Sequence, residues 1–250
     1  MKKKNKKIIT IIIVSLLLIT GVTCGILYSK GWLHKIYKGS DKAYEILETK
    51  HNYKIETLED GSICFEPENP DSGFVFYPGG MVDYISYSPL MDKLASNNIL
   101  CVLLKPKTNV PMFDVKEAEG ITNNYPNMSE WYIGGHSMGA YLSSAYVYDH
   151  ISDFKGIILL GGYSSKDLSN SDLKALCIYG SLDGAMNRKK YEENRKYLPS
   201  NYEEVIIEGG CHSYFGDYGI EGEDSKPTIS QEKQIEITCD KIVEFIKKDN

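Results

Sequence analysis

At 250 residues, with 42% hydrophobic and 25% charged side chains, the chain is long enough for one substantial domain and too apolar to be disordered. Residues 1–37 hold seven lysines and no acid, so a net charge of −6 leaves −13 on the remainder. An acidic body of that kind repels phosphate backbones, which excludes nucleic acid as a partner.

The opening MKKKNKK precedes a run with no charged side chain, IITIIIVSLLLITGVTCGILY, over residues 8–28. A helix of that length spans roughly 30 Å, the thickness of a bilayer's hydrocarbon core. Five lysines before it predict a cytoplasmic tail at 1–7 and a body on the outer face of the cell membrane. The run is longer than the apolar core of a cleaved signal peptide and no A-x-A-like site follows it. GVT before Cys24 is a poor match to a lipid-attachment box. The expectation is therefore an uncleaved, single-pass anchor at 8–28. Residues 29–52 read as a juxtamembrane segment of helical or mixed character, and 53–250 as the main domain.

From about residue 53, short apolar runs alternate with longer amphipathic ones. SICFE, GFVFYPG, NILCVLLK, EWYIGG, KGIILLGG, KALCIYG and EEVIIEG are β-branched or aromatic-rich and end near glycine or a polar turn, as strands do. YSPLMDKLASN, DVKEAEGITNNY, MGAYLSSAYVYDH, RKKYEENRKYL and SQEKQIEITCDKIVEFIKK read as helices. That alternation predicts an α/β domain with a mostly parallel sheet, helices on both faces, and function collected at the carboxyl ends of the strands. The connection between KGIILLGG and KALCIYG is too short for a large cap domain.

Cys64, Cys101, Cys177, Cys211 and Cys239 form no C-x-x-C pair and leave compartment and disulfide state open. Cys101 and Cys177 fall in core-like strands, where a thiol packs as a small hydrophobe. His136, Cys211 and His212 lack the further ligands a zinc site needs, so neither metal nor cofactor is expected.

The stretch GGHSMGA at 134–140 fits G-x-S-x-G at the junction of EWYIGG with the helix that follows. A serine on so sharp a turn is exposed above the sheet, next to a helix N-terminus that favours negative charge. The flanking glycines are there because side chains would clash across the turn. Ser137 is thus a candidate nucleophile, and it needs a base. Of five histidines, His34 lies beside the apolar run, His51 precedes the sheet, His136 sits inside the elbow and His150 closes a helix. His212 remains, in the loop after the last expected strand. An acid to hold its tautomer is Asp183, after KALCIYGSL, giving the chain order Ser137, Asp183, His212; Asp217 is the competitor, though so close to the base it has less freedom to reach the far nitrogen. Met138, after the nucleophile, and Gly80 or Met81, in FYPGGM, are the expected oxyanion donors.

FYPGGMVDYISYSPLMDKLA, GGHSMGA, YGSLDG and GGCHSYFGDYG, with GEDSKPTISQEKQ after it, together resemble the alpha/beta hydrolase fold-5 family over roughly residues 58–248. The resemblance implies an α/β-hydrolase fold, a Ser137–Asp183–His212 triad and an oxyanion loop at 79–81. The expectation is a membrane-anchored serine hydrolase, of carboxylic ester hydrolase type, acting on a small-molecule or lipid-like acyl substrate. The alternatives are a peptidase or acyltransferase using the same triad, or a non-catalytic binding protein on the same fold.

Overall fold

The computed structural model describes residues 2–29, 36–107, 114–222 and 224–248. They belong to two compact units that divide between residues 36 and 37. The first contains one continuous helix, α1 (Lys2–Ser29). Leu17, Leu18 and Ile19 are each more than 60% exposed, so three consecutive positions on different sides of the helix are all unpartnered and apolar. Among the described residues, no helix is long and apolar enough to cross a membrane. Residues 30–35 of the expected juxtamembrane segment, His34 among them, lie outside the described residues.

The second unit begins with a short helix, α2 (Asp41–Glu48), capped by the Ser40 hydroxyl on the amide of Ala43 at 3.2 Å. Next come β1 (Lys54–Thr57), β2 (Ile63–Glu66), β3 (Ser72–Tyr77), α3 (Ser88–Ser96), β4 (Ile99–Leu103), β5 (Trp131–His136) and α4 (Met138–Asp149). The chain finishes with β6 (Gly156–Leu160), β7 (Lys174–Gly180), α5 (Arg188–Asn194), β8 (Glu203–Ile207) and α6 (Gln231–Lys247). The strands form one sheet in the order β1-β2-β4-β3-β5-β6-β7-β8. β1 and β2 are antiparallel to their neighbours, and every pair from β4 through β8 is parallel.

Both faces of the sheet are buried, which is why its strands read as continuous apolar runs. Alternation within each run divides the side chains between two cores. Phe74 and Phe76 of β3, with Ile158 and Leu160 of β6, pack with α3 and α6. Val75, Tyr77, Ile157 and Leu159 point the other way, toward α4 and α5. Residues 161–173, between β6 and β7, contain neither helix nor strand.

Two local expectations are corrected. DVKEAEGITNNY forms only two 3-10 turns, Val115–Ala118 and Thr122–Asn124, because Gly120 between them takes a φ of 79° and interrupts any helix. β1 went unanticipated because KIET is polar and lies at the sheet's edge, half exposed.

Candidate active site

The site is built where β3, β5, β6 and β7 end. At the β5–α4 junction Ser137 has φ 54° and ψ −113°, a backbone state that non-glycine residues rarely adopt. It is pinned there because its N–H reaches Leu160 O of β6 at 2.8 Å while its own carbonyl accepts from Ala140 at 3.1 Å. The elbow glycines answer to close approach. A Cβ on Gly135 would lie 2.5 Å from Tyr77 O, and one on Gly139 would meet both that carbonyl and Pro78 O, the latter at 2.6 Å. Only bare backbone lets α4 start so close to the end of β3.

Asp183 follows β7 in a turn of its own making, with Oδ1 accepting the amides of Ala185 at 3.1 Å and Met186 at 2.8 Å. That leaves Oδ2 aimed at the loop after β8, where it accepts from Nδ1 of His212 at 2.9 Å. Both side chains are buried. Burial by itself disfavours the charged imidazole, but the hydrogen bond and charge of Asp183, with Glu221 and Asp224 farther off, outweigh it and raise the pKa of His212. With Nδ1 engaged as donor, Nε2 carries the lone pair of a base.

The Gly161 turn joins these parts. Gly161 lines the same cleft as Ser137, and a Cβ there would stand 3.0 Å from His212 Nδ1 and 3.3 Å from Asp183 Oδ2. The cleft, of about 420 Å³, is lined by Ser137, Met138, Tyr141, Gly161, Gly162, Tyr163, Ala185, Met186 and Asn187. That lining is apolar and aromatic, with no charged side chain. A groove of equal volume between α2, α3 and α6 is lined by Lys42, Asp92, Lys93, Asp217 and Glu232; its hydroxyl, Ser40, is already spent capping α2 and donating to Asp217. The chemistry belongs to the Ser137 cleft.

The expected oxyanion residues also meet. A Cβ on Gly80 would fall 3.1 Å from the Met138 sulfur, so the loop after β3 lies against the first residue of α4. The amide of Gly79 is taken by the Tyr87 hydroxyl at 3.1 Å, leaving Gly80 and Met81 as the loop's candidate donors. Met81 adopts φ 59°, a second strained residue in this corner.

His136 turns away from the cleft, as expected of a residue within the elbow. Its Nδ1 shares a hydrogen bond with the Tyr87 hydroxyl at 2.7 Å, and its ring lies against that of His212 with centroids 4.5 Å apart. Complete burial, then the proximity of His212, hold its pKa well below the ordinary value, so it is the neutral member of the pair. Asp217 accepts from the Ser40 hydroxyl at 2.6 Å, not from an imidazole. His51 bonds Ile46 O at 2.7 Å, and His150 stacks on Tyr146. All five cysteines outside α1 are buried free thiols. Sequence reasoning missed Tyr87, which ties the oxyanion loop to the elbow, and gave no part to Asp224. Hydrogen bonds from a side chain to remote backbone leave no periodic trace in a sequence.

A model of the alpha/beta hydrolase family matches residues 73–236. No curated protein matches the chain in sequence. Among solved structures the chain is similar to a predicted CIB-like hydrolase from Thermoplasma acidophilum, at 16% identity and TM-score 0.55, covering 76% of this chain and 98% of that one. It is also similar to dienelactone hydrolase from Anabaena variabilis, at 14% identity and TM-score 0.59, covering 78% and 97%. Carboxylesterase CesB from Bacillus subtilis follows at 10% identity and TM-score 0.58, covering 84% and 96%. At these identities the likeness is one of fold.

Proposed function

The chain belongs to the alpha/beta hydrolase family, and on that premise we propose that it is a serine hydrolase cleaving an ester or related acyl bond through an acyl-enzyme. The carrying observation is the buried Asp183–His212 pair, held at 2.9 Å beside the turn that lines the Ser137 cleft. Ser137 Oγ attacks the carbonyl as Nε2 of His212 takes its proton. The same nitrogen returns the proton to the leaving group, while Asp183 holds Nδ1–H and balances the imidazolium. The amides of Met138 and of Gly80 or Met81 bind the oxyanion. Water then releases the acid; an alcohol in its place makes the same site an acyltransferase. The uncharged lining of Met138, Tyr141, Tyr163 and Met186 favours a neutral small-molecule or lipid-like acyl group.

The anchored, outward-facing arrangement is part of the same reading. In support, the helix α1 carries the uncharged run 8–28, and the hydroxyls of Thr20 and Thr23 return to Leu16 O and Ile19 O, each at 2.8 Å. A helix stretch whose threonine hydroxyls bond its own carbonyls and whose exposed Leu16, Leu17, Leu18 and Ile19 are apolar suits hydrocarbon better than water.

The test is labelling of the full chain in detergent with a fluorophosphonate, beside Ser137→Ala. The expected result is labelling that vanishes in the variant, with ester turnover lower by about four orders of magnitude or more. A folded wild type that takes no label refutes the reading.

A further inference from the structure

The loops that bear the acid and the base extend beyond the last ladder bonds of β7 and β8, and something must hold them in register. Near the strand ends this is done by Ser181 N–H on Ile207 O and Leu182 N–H on Gly210 O, each at 2.9 Å, and by the Ser181 hydroxyl, which accepts the N–H of Gly209 at 2.9 Å. Closer to the acid and base, further bonds come from a single carboxylate far along the chain. Asp224 Oδ1 accepts the N–H of Gly184, the residue after the acid, at 3.0 Å and the N–H of His212, the base itself, at 3.2 Å. It also accepts from Ser225 at 2.9 Å. Oδ2 accepts the N–H of Ser213 at 2.7 Å and its hydroxyl at 2.8 Å, and that hydroxyl in turn accepts the N–H of Glu221 at 2.9 Å. At the residue before His212, the buried amide of Gln234 pairs with both backbone groups of Cys211, at 3.0 and 2.8 Å.

We propose that Asp224 is a positioning residue: its carboxylate clamps the Asp183 loop to the His212 loop and so sets the geometry in which acid and base pair. The inference rests on the hydrolase reading above but is carried by different contacts. Asp224 does not line the Ser137 cleft, so it acts on the chemical step through His212 rather than on substrate binding. Bonds to an ionised acceptor are the stronger kind, and a carboxylate accepts at two oxygens, whose roughly four lone-pair sites the five donors share, three of them on Oδ1. A neutral amide of that size accepts at one oxygen only.

The clamp has an electrostatic consequence as well. Around the His212 imidazole stand Asp183, Glu221 and Asp224 as acids and His136 as a second, neutral imidazole. Around Asp224 stand Cys211, Tyr214 and Tyr218, none of them cationic. The negative charge of Asp224 therefore favours protonated His212. Removing it lets His212 lose its proton at lower pH, moving the acid limb of a kcat/KM profile downward.

The experiment compares the full-length wild type in detergent with Asp224→Asn and Asp224→Glu, using a p-nitrophenyl ester and thermal melting as the check of fold. In Asp224→Asn, kcat falls by ~10-fold or more with KM nearly unchanged, as displacement of a catalytic group requires. Its acid limb moves to lower pH, and the Nδ1–H resonance of His212 in the NMR spectrum is lost or shifted. Asp224→Glu keeps the charge but moves the carboxylate, so kcat falls while the acid limb stays near that of the wild type. A folded Asp224→Asn protein with wild-type kcat, acid limb and Nδ1–H resonance overturns the proposal. Unfolding of both variants also overturns it, making Asp224 a determinant of the fold. If the wild type shows the resonance, and loses it in Asp224→Asn, yet takes no fluorophosphonate, the clamp stands and the hydrolase reading falls.

Discussion

At the scale of single residues, the site concentrates states that cost energy elsewhere. Ser137 and Met81 both have positive φ, each worth ~1–3 kcal/mol, and both lie at the same corner of the sheet. The two imidazoles there have opposite tendencies: His136 is buried and held neutral, while His212 is drawn toward protonation by Asp183. A base must be unprotonated to act, and the folded pKa of His212 is raised. The acid limb of kcat/KM should accordingly lie above pH ~6.5, the ordinary imidazole value. Asp183→Asn takes away the partner of Nδ1 and should cost ~10⁴-fold in kcat, by the wrong tautomer as much as by lost charge. Asp217→Asn, which touches only the Ser40 hydroxyl and neighbouring surface, should stay within a few-fold of wild type. Steady-state kinetics on the two variants checks the assignment, and the reverse ranking moves the acid to Asp217.

At the scale of elements, the β5–α4 junction is set by how near α4 comes to the end of β3. Gly139→Ala places a methyl group against the carbonyls of Tyr77 and Pro78, backbone atoms that move only with the sheet. Overpacking of this kind costs ~1–3 kcal/mol, so the melting temperature should fall by several degrees, with activity reduced more than the fold. Calorimetry and ester turnover on the same sample measure both; an unchanged melt means α4 can retreat without loss. Gly120 has the opposite character. It divides residues 114–125 into two short turns where composition alone reads as a helix. One glycine enables an element and the other prevents one.

At the scale of the whole molecule, the uneven charge is the most telling feature. Seven lysines lie in residues 1–37, and the body carries −13. In the proposed anchored arrangement, the lysines before residues 8–28 keep the N-terminus cytoplasmic and the acidic unit outside. Protease added to intact cells should then release a fragment corresponding to the second unit, detected by antibody against the body. Full protection of the chain refutes the outward orientation.

The sequence by itself determined the parallel α/β sheet, because both cores demand apolar runs of strand length separated by amphipathic helices. It also identified Ser137, Asp183 and His212 as candidates, since G-x-S-x-G, chain order and a short supply of histidines are all local or countable. What needed three dimensions was which groups hold those residues. Tyr87 bonds the oxyanion loop to His136, and Asp224 bonds the Asp183 loop to the His212 loop across spans of 11–40 residues. Such bonds join a side chain to groups elsewhere in the fold, whose position exists only after the sheet has formed.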